Sequence, residues 1–449
     1  MITYSIIKKS ELEGAIRIDA EYHQPEYLNL ENSLKKISSQ KLEIVADVDG
    51  GKRLPLNENF SEEGIPYLRA VDIYGTFIDF DYIKFISDKL HQKLKQYQIR
   101  EKDILITIVG NTVGLVGYDQ LSLSKFNFTE NCARIRAKNI LPEYLLAVLS
   151  SNIGQLQVSR ERVGTAQPKL SLDRLRNFYI PIANEKLQNV IKDLIQNSLE
   201  SYINSKSLYS QAEDLLLEEL GLKNFEREIE RELWSVVNLS EVKATGRIDA
   251  EYFQPKYEKI VKKIEKYKNG FDLVKNQFKQ NKSLLKKDKD YYNYIEIGDV
   301  DISSGEIIPN KIDKKEIPAN GKISLHKNDL LISKVRPNRG AVSFIDLDME
   351  NLLGSGAFTV LQEKTNYKKE VLMIFFKLKF IKDLLLKYNC GTSYPVIKDE
   401  NILNLEIPMI KPDIQQKIAD LVQKSHKARK RAKELLEEAK RKVEELIES

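Results

Sequence analysis

Residues Arg17–Tyr27 read RIDAEYHQPEY and residues Arg247–Tyr257 read RIDAEYFQPKY, so nine of eleven positions are identical and only His23/Phe253 and Glu26/Lys256 differ. A match this dense inside one chain means that one unit has been built twice. The period of about 230 residues is far too long for a solenoid, so the repeat unit is a domain. The correspondence extends along the chain. Tyr4–Ile7 aligns with Trp234–Val237, Tyr67–Asp72 with Tyr294–Asp299, Asp103–Ile106 with Asp329–Ile332, Gly164–Pro168 with Gly391–Pro395, and Ile180-Pro181 with Ile407-Pro408. The framing segments agree while the stretches between them hardly do. One scaffold carrying two different recognition surfaces would look like this.

With 449 residues the chain has room for two or three cores. No apolar run approaches membrane-spanning length, and the opening MITYSIIKKSELEG lacks a secretory h-region, so a cytoplasmic location with no membrane partner is expected. Cys132 and Cys390 fall in different repeats and read as small core residues, not as a disulfide. The net charge of +5 permits nucleic-acid binding without demonstrating it.

The fold class expected is α/β (α+β). Each repeat opens with a short strand-like run, Tyr4–Ile7 or Trp234–Val237, then a helix begun by Pro25 or Pro255, because proline's missing N–H is not needed in a first turn. Ile104–Val109, Leu115–Tyr118, Leu330–Val335 and Ala341–Ile345 read as strands, with turns at Gly110-Asn111 and Pro337-Asn338. One helix each is expected over Pro142–Gln157 and Lys369–Tyr388, followed by a short strand ending at Ile-Pro.

A long helix follows each repeat. Positions 187, 191, 194, 198, 201, 205, 208, 212 and 215 keep a 4,3 rhythm, as do Ile414, Ile418, Leu421, Ser425, Ala428, Ala432, Leu435 and Ala439. The seam residues singled out are Leu187, Ile191, Leu194, Ile414, Ile418, Leu421 and Leu435. Ser and Ala in the middle allow two backbones to approach, so each helix is expected to pair with the other. The alternative is that each packs on its own domain. The division expected is a first recognition domain over 1–182, a central helix over 183–222, a second recognition domain over 223–410 and a last helix over 411–449.

Catalytic signatures are missing. His23, His91, His326 and His426 have no metal-ligand spacing, Gly50-Gly51-Lys52-Arg53 is not a Walker A loop, and no G-x-G-x-x-G follows a strand. No Asn-Pro-Pro-Tyr-type motif is present, and Pro412-Asp413 reads as the start of the last helix with Asp413 as its cap. The chain is read as non-catalytic and as binding no cofactor or metal itself.

The doubled RIDAEY-x-Q-P-x-Y, Gly64–Arg69, Tyr294–Asp299, Leu331–Asn338 and the Ile-Pro segments leading to Gln188 or Gln415 together resemble the specificity (S) subunit of type I restriction–modification enzymes, over essentially the whole chain. The resemblance implies two target-recognition domains, each reading half of a split site in double-stranded DNA. It implies two long helices pairing as an antiparallel coiled-coil spacer, in a pseudo-twofold frame on which two methyltransferase (modification) subunits dock, with a restriction/translocase subunit able to join. S-adenosylmethionine, ATP and Mg would belong to those partners, the assembly being an adenine DNA methyltransferase and type I deoxyribonuclease. One departure is visible: Gly50–Pro55 has no glycine-rich counterpart near Lys275–Asp290, so the two loops there are expected to differ in conformation.

Base reading needs hydrogen-bonding side chains on loops that enter a groove, Arg and Lys for guanine and Asn and Gln for adenine. The candidates are Lys52, Arg53, Arg69, Asn111, Lys125, Arg160, Arg162, Gln167 and Lys169 in the first repeat, and Lys286, Lys287, Lys334, Arg336, Asn338, Arg339, Tyr394 and Lys398 in the second. For any single one a solvated surface charge is the plainer reading, and most contacts would fall on phosphate. Arg17, Asp19, Tyr22 and their copies Arg247, Asp249, Tyr252 are identical across repeats and read as scaffold, Asp19 and Asp249 as helix caps, with a partner-docking corner as the alternative. The basic run Lys424–Lys433 reads as the solvated outer face of the helix pair, or else as a contact with spacer DNA or an acidic partner. The rival to a DNA reader is an adaptor that holds two protein partners and never touches DNA.

Overall fold

The computed structural model describes residues 4–9, 12, 17–73, 76–78, 80, 83–118, 126–223, 225, 234–286 and 288–448. The chain divides into two compact units, one of residues 1–203 with 429–449 and one of residues 204–428. Each unit thus contains one set of sheets with part of the central helix, Glu185–Leu220, and part of the last helix, Pro412–Glu448.

The two units share one topology. In the first, a four-stranded sheet has the order 46–50, 132–137, 104–107, 116–118, and a second has 84–86, 65–68, 126–128, 98–99. In the second unit the same places are taken by 278–280, 358–363, 330–333, 342–344 and by 310–313, 291–295, 352–355, 321–324. Even the parallel strand pairing recurs, 65–68 beside 126–128 and 291–295 beside 352–355. Register is kept as well: Ile104 faces Ile135 as Leu330 faces Leu361.

Strand period explains why Ile104–Thr107 and Leu330–Ser333 read as unbroken apolar runs. Successive side chains alternate between faces, and both faces are covered. Ile104 and Ile106 enter a core with Tyr144, Leu145 and Val148 from the helices, whereas Leu105 enters a separate core with Leu68, Phe126 and Phe128. Leu330 and Ile332 likewise join Phe375 and Phe376, while Leu331 joins Phe358 and Val360. A two-stranded antiparallel neck closes each module: Ser39–Lys41 on Tyr179–Pro181, and Phe271–Leu273 on Glu406–Pro408.

Several sequence expectations are corrected. Tyr4–Ile7 and Trp234–Val237 form no strand, and Tyr4, Ile6, Trp234 and Val236 are solvent-exposed. The single helices expected over 142–157 and 369–388 are each broken in two, at Ser151 and Leu378, where the backbone turns extended for one residue. The apolar rhythm continues through the break, which is why periodicity alone missed it. Asp413 is not the cap of the last helix, because Pro412 already occupies its first position and Asp413 lies inside the first turn. Cys132 is buried but Cys390 is exposed, and both are free thiols.

The long helices do pair, and on a slightly different seam. Buried residues include Ile191, Ile195, Ser198, Ser205, Ala212 and Leu216 on the central helix, and Ile418, Val422, Ser425, Ala432, Leu435, Ala439 and Val443 on the last. Ile191, Ile418 and Leu435 are buried, whereas Leu187, Leu194, Ile414 and Leu421 sit half-buried beside them. The stripe is wider than a two-position seam because, within each unit, both helices also cover that unit's module. In the first unit the Ser198 hydroxyl donates to the Ala432 carbonyl at 2.6 Å, and about one turn on Arg429 lies 5.3 Å from the Tyr202 ring, so the helices run antiparallel. In the second unit Ser425 donates to the Ser205 carbonyl at 2.7 Å. Ser198→Leu is expected to cost about 1–3 kcal/mol by forcing the backbones apart, and Ser198→Ala about 1 kcal/mol at most. Urea denaturation of the two variants checks this; equal midpoints would remove close approach as the reason for serine.

Candidate nucleic-acid interface

The strands 46–50 and 104–107 end, and 116–118 and 132–137 begin, at one end of the first unit's helix-covered sheet. The loops leaving that end hold each other by backbone bonds. Gly51 N–H donates to Cys132 O at 3.1 Å and Lys52 N–H to Phe128 O at 3.0 Å. Ile108 N–H donates to Asn131 O at 2.8 Å and Gly110 N–H to Pro168 O at 2.9 Å. Gly51 must be glycine, because a Cβ there would collide with the Thr129 carbonyl.

The second unit builds the same junction. Val335 bridges Val396 as Val109 bridges Lys169, and Arg336 N–H donates to Pro395 O at 2.7 Å in the place of Gly110 to Pro168. Gly110 and Arg336 both have left-handed backbone, φ 103° and 51°. Glycine takes that region freely, whereas an arginine there is strained by roughly 1–2 kcal/mol. Strain held at an exposed loop position points to a role for the side chain. Its guanidinium lies 5.4 Å from the ring of Tyr394, which occupies the place of Gln167.

The structure gathers Asn111, Arg162, Gln167 and Lys169 on one loop pair, all exposed. Lys52, Arg53 and Arg69 lie beside the 128–130 turn: Lys52 is exposed, Arg53 binds Glu130 at 2.5 Å, and Arg69 forks onto Asp72 at 2.7 and 3.0 Å. Arg160 is turned inward, bonded to Glu31 at 2.7 Å and to Tyr22 O at 3.2 Å. In the second unit Arg336, Asn338, Arg339, Tyr394 and Lys398 are exposed on the paired loops, and Lys286 is exposed on the segment after strand 278–280. Lys334 is bonded to Asp399 at 3.0 Å. Burial pushes the Asp399 carboxyl up, but hydrogen bonds from Thr359 and Lys334 outweigh it and hold the group below its ordinary value. That ion pair stands where the first unit has apolar Ile108 and Leu172. Lys125 and Lys287 lie outside the described residues. The first strand of this sheet also differs, five residues ending at Gly50 against three ending at Gln280, so the loops that follow leave it differently.

The repeated corner is built from charge and aromatic contacts. Arg17 forks onto Asp19 at 2.7 and 2.6 Å, and this bond holds the Asp19 carboxyl down at about 2. Asp19 also accepts the Tyr22 N–H at 3.1 Å, as Asp249 accepts that of Tyr252 at 3.0 Å. Both aspartates therefore cap the tight turn at 20–23 or 250–253; the helices that follow begin only at Pro25 and Pro255. The Tyr22 ring lies between Arg17, at 4.7 Å, and Arg160, at 4.4 Å. Burial and the Glu161 carboxylate push its hydroxyl up to about 12. Tyr252 lies between Arg247, at 4.8 Å, and Lys387, at 5.1 Å. Sequence reading missed this second cation, although Arg160 and Lys387 share the offset of 227 and the signal was there.

Among the described residues no group of three His, Cys, Asp or Glu is placed to hold a metal, and no helix is long and apolar enough to cross a membrane.

Comparison with known proteins follows the same division. The family described as Type I restriction modification DNA specificity domain matches residues 35–209 and again 262–441. A type I restriction enzyme EcoBI specificity subunit of Escherichia coli is 28% identical over 152 residues, 32% of this chain and 32% of that protein. The HindI specificity subunit of Haemophilus influenzae is 29% identical over 133 residues, 27% of this chain and 28% of that protein. The matched region thus spans about a third of the length of these relatives. A solved S subunit from M. genitalium aligns over 91% of this chain and 94% of its own, with 14% identity and a TM-score of 0.44. Because the family's domain matches both repeats and most of the sequence, the chain belongs to the type I restriction–modification DNA specificity family and carries its domain twice.

Proposed function

We propose that this chain reads a two-part DNA sequence, one part per repeat, and positions two methyltransferase subunits on it, with a restriction/translocase subunit able to join. The observation that carries this is the loop end built twice. The backbone junction is the same, while Gly110, Gln167 and Ile108 become Arg336, Tyr394 and Lys334. A common frame with different hydrogen-bonding side chains is what two unlike half-sites require. On this reading the chain performs no chemistry itself, and S-adenosylmethionine, ATP and Mg belong to the partners.

The isolated chain is expected to bind DNA weakly and in a salt-sensitive way, because net charge is only +5 and each loop end offers few free cations. With methyltransferase subunits present, binding becomes specific, with a footprint in two blocks. Gel shifts and footprinting with and without the partner test this. Nanomolar specific binding by the chain alone at physiological salt would contradict the division of labour, and a complex that never protects DNA would favour the adaptor reading.

A further inference from the structure

Hydrogen-bonding side chains are not all that the loop ends present. In the first unit the loop after strand 46–50 is fastened at several points. The Tyr67 hydroxyl donates to the Lys52 carbonyl, and Leu54 packs with Tyr67, Leu90 and Leu94. The Phe60 ring meets the Tyr67 ring at 5.7 Å, and Lys93 pairs with Glu58 at 2.9 Å. Pro55 fixes φ at the entry to a tight turn, which Glu58 N–H closes onto Pro55 O at 3.0 Å. Within this turn Leu56 is fully exposed. In the second unit the corresponding loop lies along strand 321–324. Ser324 N–H donates to Ser283 O at 2.8 Å, and Leu285 N–H to Lys322 O at 3.0 Å. Leu285 packs with Tyr292, Tyr294 and Leu353, as Leu54 does with Tyr67, and Leu284 beside it is 72% exposed. The same edge runs on to Asn320, whose carbonyl accepts the Gly356 N–H at 2.7 Å; the next carbonyl, that of Ala357, accepts the Lys334 N–H at 2.8 Å. Leu284 therefore stands beside the reading end, as Leu56 does through the bond of Lys52 N–H to Phe128 O.

A single exposed leucine is ordinary on any protein surface. Here the same loop of both modules anchors one leucine on the sheet and holds another out in water. We propose that Leu56 and Leu284 each read the methyl group of a thymine in the major groove, one in each half-site. This rests on the DNA reading proposed above and adds two apolar readers to it. Thymine shows a methyl group in that groove, and an apolar side chain laid against it removes both from water. The surroundings favour DNA as the occupant. Lys52 flanks Leu56, and Lys282, Lys286 and Lys322 surround Leu284; all four are exposed, with no ion pair among the described residues. Asp288 and Asp290 come only later, on the way to strand 291–295. An apolar tip among cations matches a base edge lying between two phosphate chains. A protein surface would instead call for a contiguous apolar patch, whereas the chain next to these leucines offers Asn57 and Ser283. The fastened loops also suit the task, since little order remains to be imposed when the tip meets the groove.

The test uses the full chain assembled with its methyltransferase subunits and an oligonucleotide carrying the target, found by mapping methylated positions. Each thymidine in and beside the two half-sites is replaced in turn by deoxyuridine, which removes the methyl group and keeps the pairing edge. Competition binding is measured for wild type, Leu56→Ala and Leu284→Ala. For wild type, one replacement in each half-site is expected to weaken binding about three- to fivefold, the worth of burying one methyl group. Leu56→Ala should abolish that sensitivity in one half-site only, and Leu284→Ala in the other, with melting temperatures unchanged because both side chains are exposed. Specific binding by wild type with no sensitivity to deoxyuridine, or a sensitivity that survives both substitutions, would overturn this inference and leave DNA reading standing. No specific binding by the wild-type complex would overturn both. Alanine variants that fail to assemble with methyltransferase subunits would place the leucines in a protein interface and overturn the inference as well.

Discussion

Replacing residues 271–408 by residues 39–181 of the same chain is expected to give a protein whose assembled complex reads one base sequence at both halves of its target. The cut follows the neck strands, Ser39↔Pro181 and Phe271↔Pro408, so entry and exit of the graft are already adjacent. The graft meets an equivalent helix surface. The first module packs on Ile191, Ile195, Ala439 and Val443, and the second on Ile418, Val422, Ala212 and Leu216. Only two of those positions differ, Ile195/Val422 and Val443/Leu216, each by one methylene, a mismatch of about 0.5–1.5 kcal/mol. Gln188 accepts the Leu141 N–H at 3.1 Å, and Gln415 accepts that of Lys368 at 2.8 Å, so the grafted Leu141 finds its partner again. Mapping methylated positions in a host carrying the graft reads the outcome. A target still composed of the two original halves would show that the modules do not read independently.

Arg336→Gly should separate stability from recognition. Removing the left-handed strain gains roughly 1–2 kcal/mol, from which the freer unfolded chain subtracts about 0.4–1, so the melting temperature should hold or rise. Discrimination at one base pair of one half-site should fall about 5- to 150-fold, the range for losing a bidentate contact of about 1–3 kcal/mol. The other half-site should be unaffected. Competition binding of the assembled complex with singly substituted oligonucleotides checks this, alongside a thermal melt. A variant that loses stability and keeps full discrimination would place the arginine in the scaffold.

Much of the frame was legible because it is periodic or repeated. The duplication announced two modules of one topology, and the 4,3 rhythm of Ile191–Ala212 and Ile418–Ala439 announced long helices that pair. The half-seam at Leu194 and Leu421 shifted to Ile195 and Val422, because a helix packed on both a partner helix and a module buries a wider stripe than a pattern of two positions describes. The breaks at Ser151 and Leu378 left no mark on hydrophobicity. At the loop end, residue type identified hydrogen-bonding candidates but not their commitments. Nothing local in the sequence told that Arg160 would stack on Tyr22 or Lys334 pair with Asp399, since those partners lie 138 and 65 positions away. The apolar arms misled in the opposite way: apolar composition suggested a strand, but among the described residues no strand pairs with either arm.

The shared left-handed turn at Gly110 and Arg336 also restricts how such a reader can change. Its backbone is set by the bond to Pro168 or Pro395, so the position admits a short alphabet. Glycine is free there, asparagine and aspartate nearly so, a long unbranched side chain is admitted under strain, and valine, isoleucine or threonine are barred by their second substituent at Cβ. From Gly110 the accessible steps lead to residues that read a base, because the polar residues tolerated there carry hydrogen-bonding tips. The β-branched apolar residues are filtered out by sterics before recognition is tested at all. New specificity at this point of the loop would therefore be reached through few substitutions, most of them chemically competent.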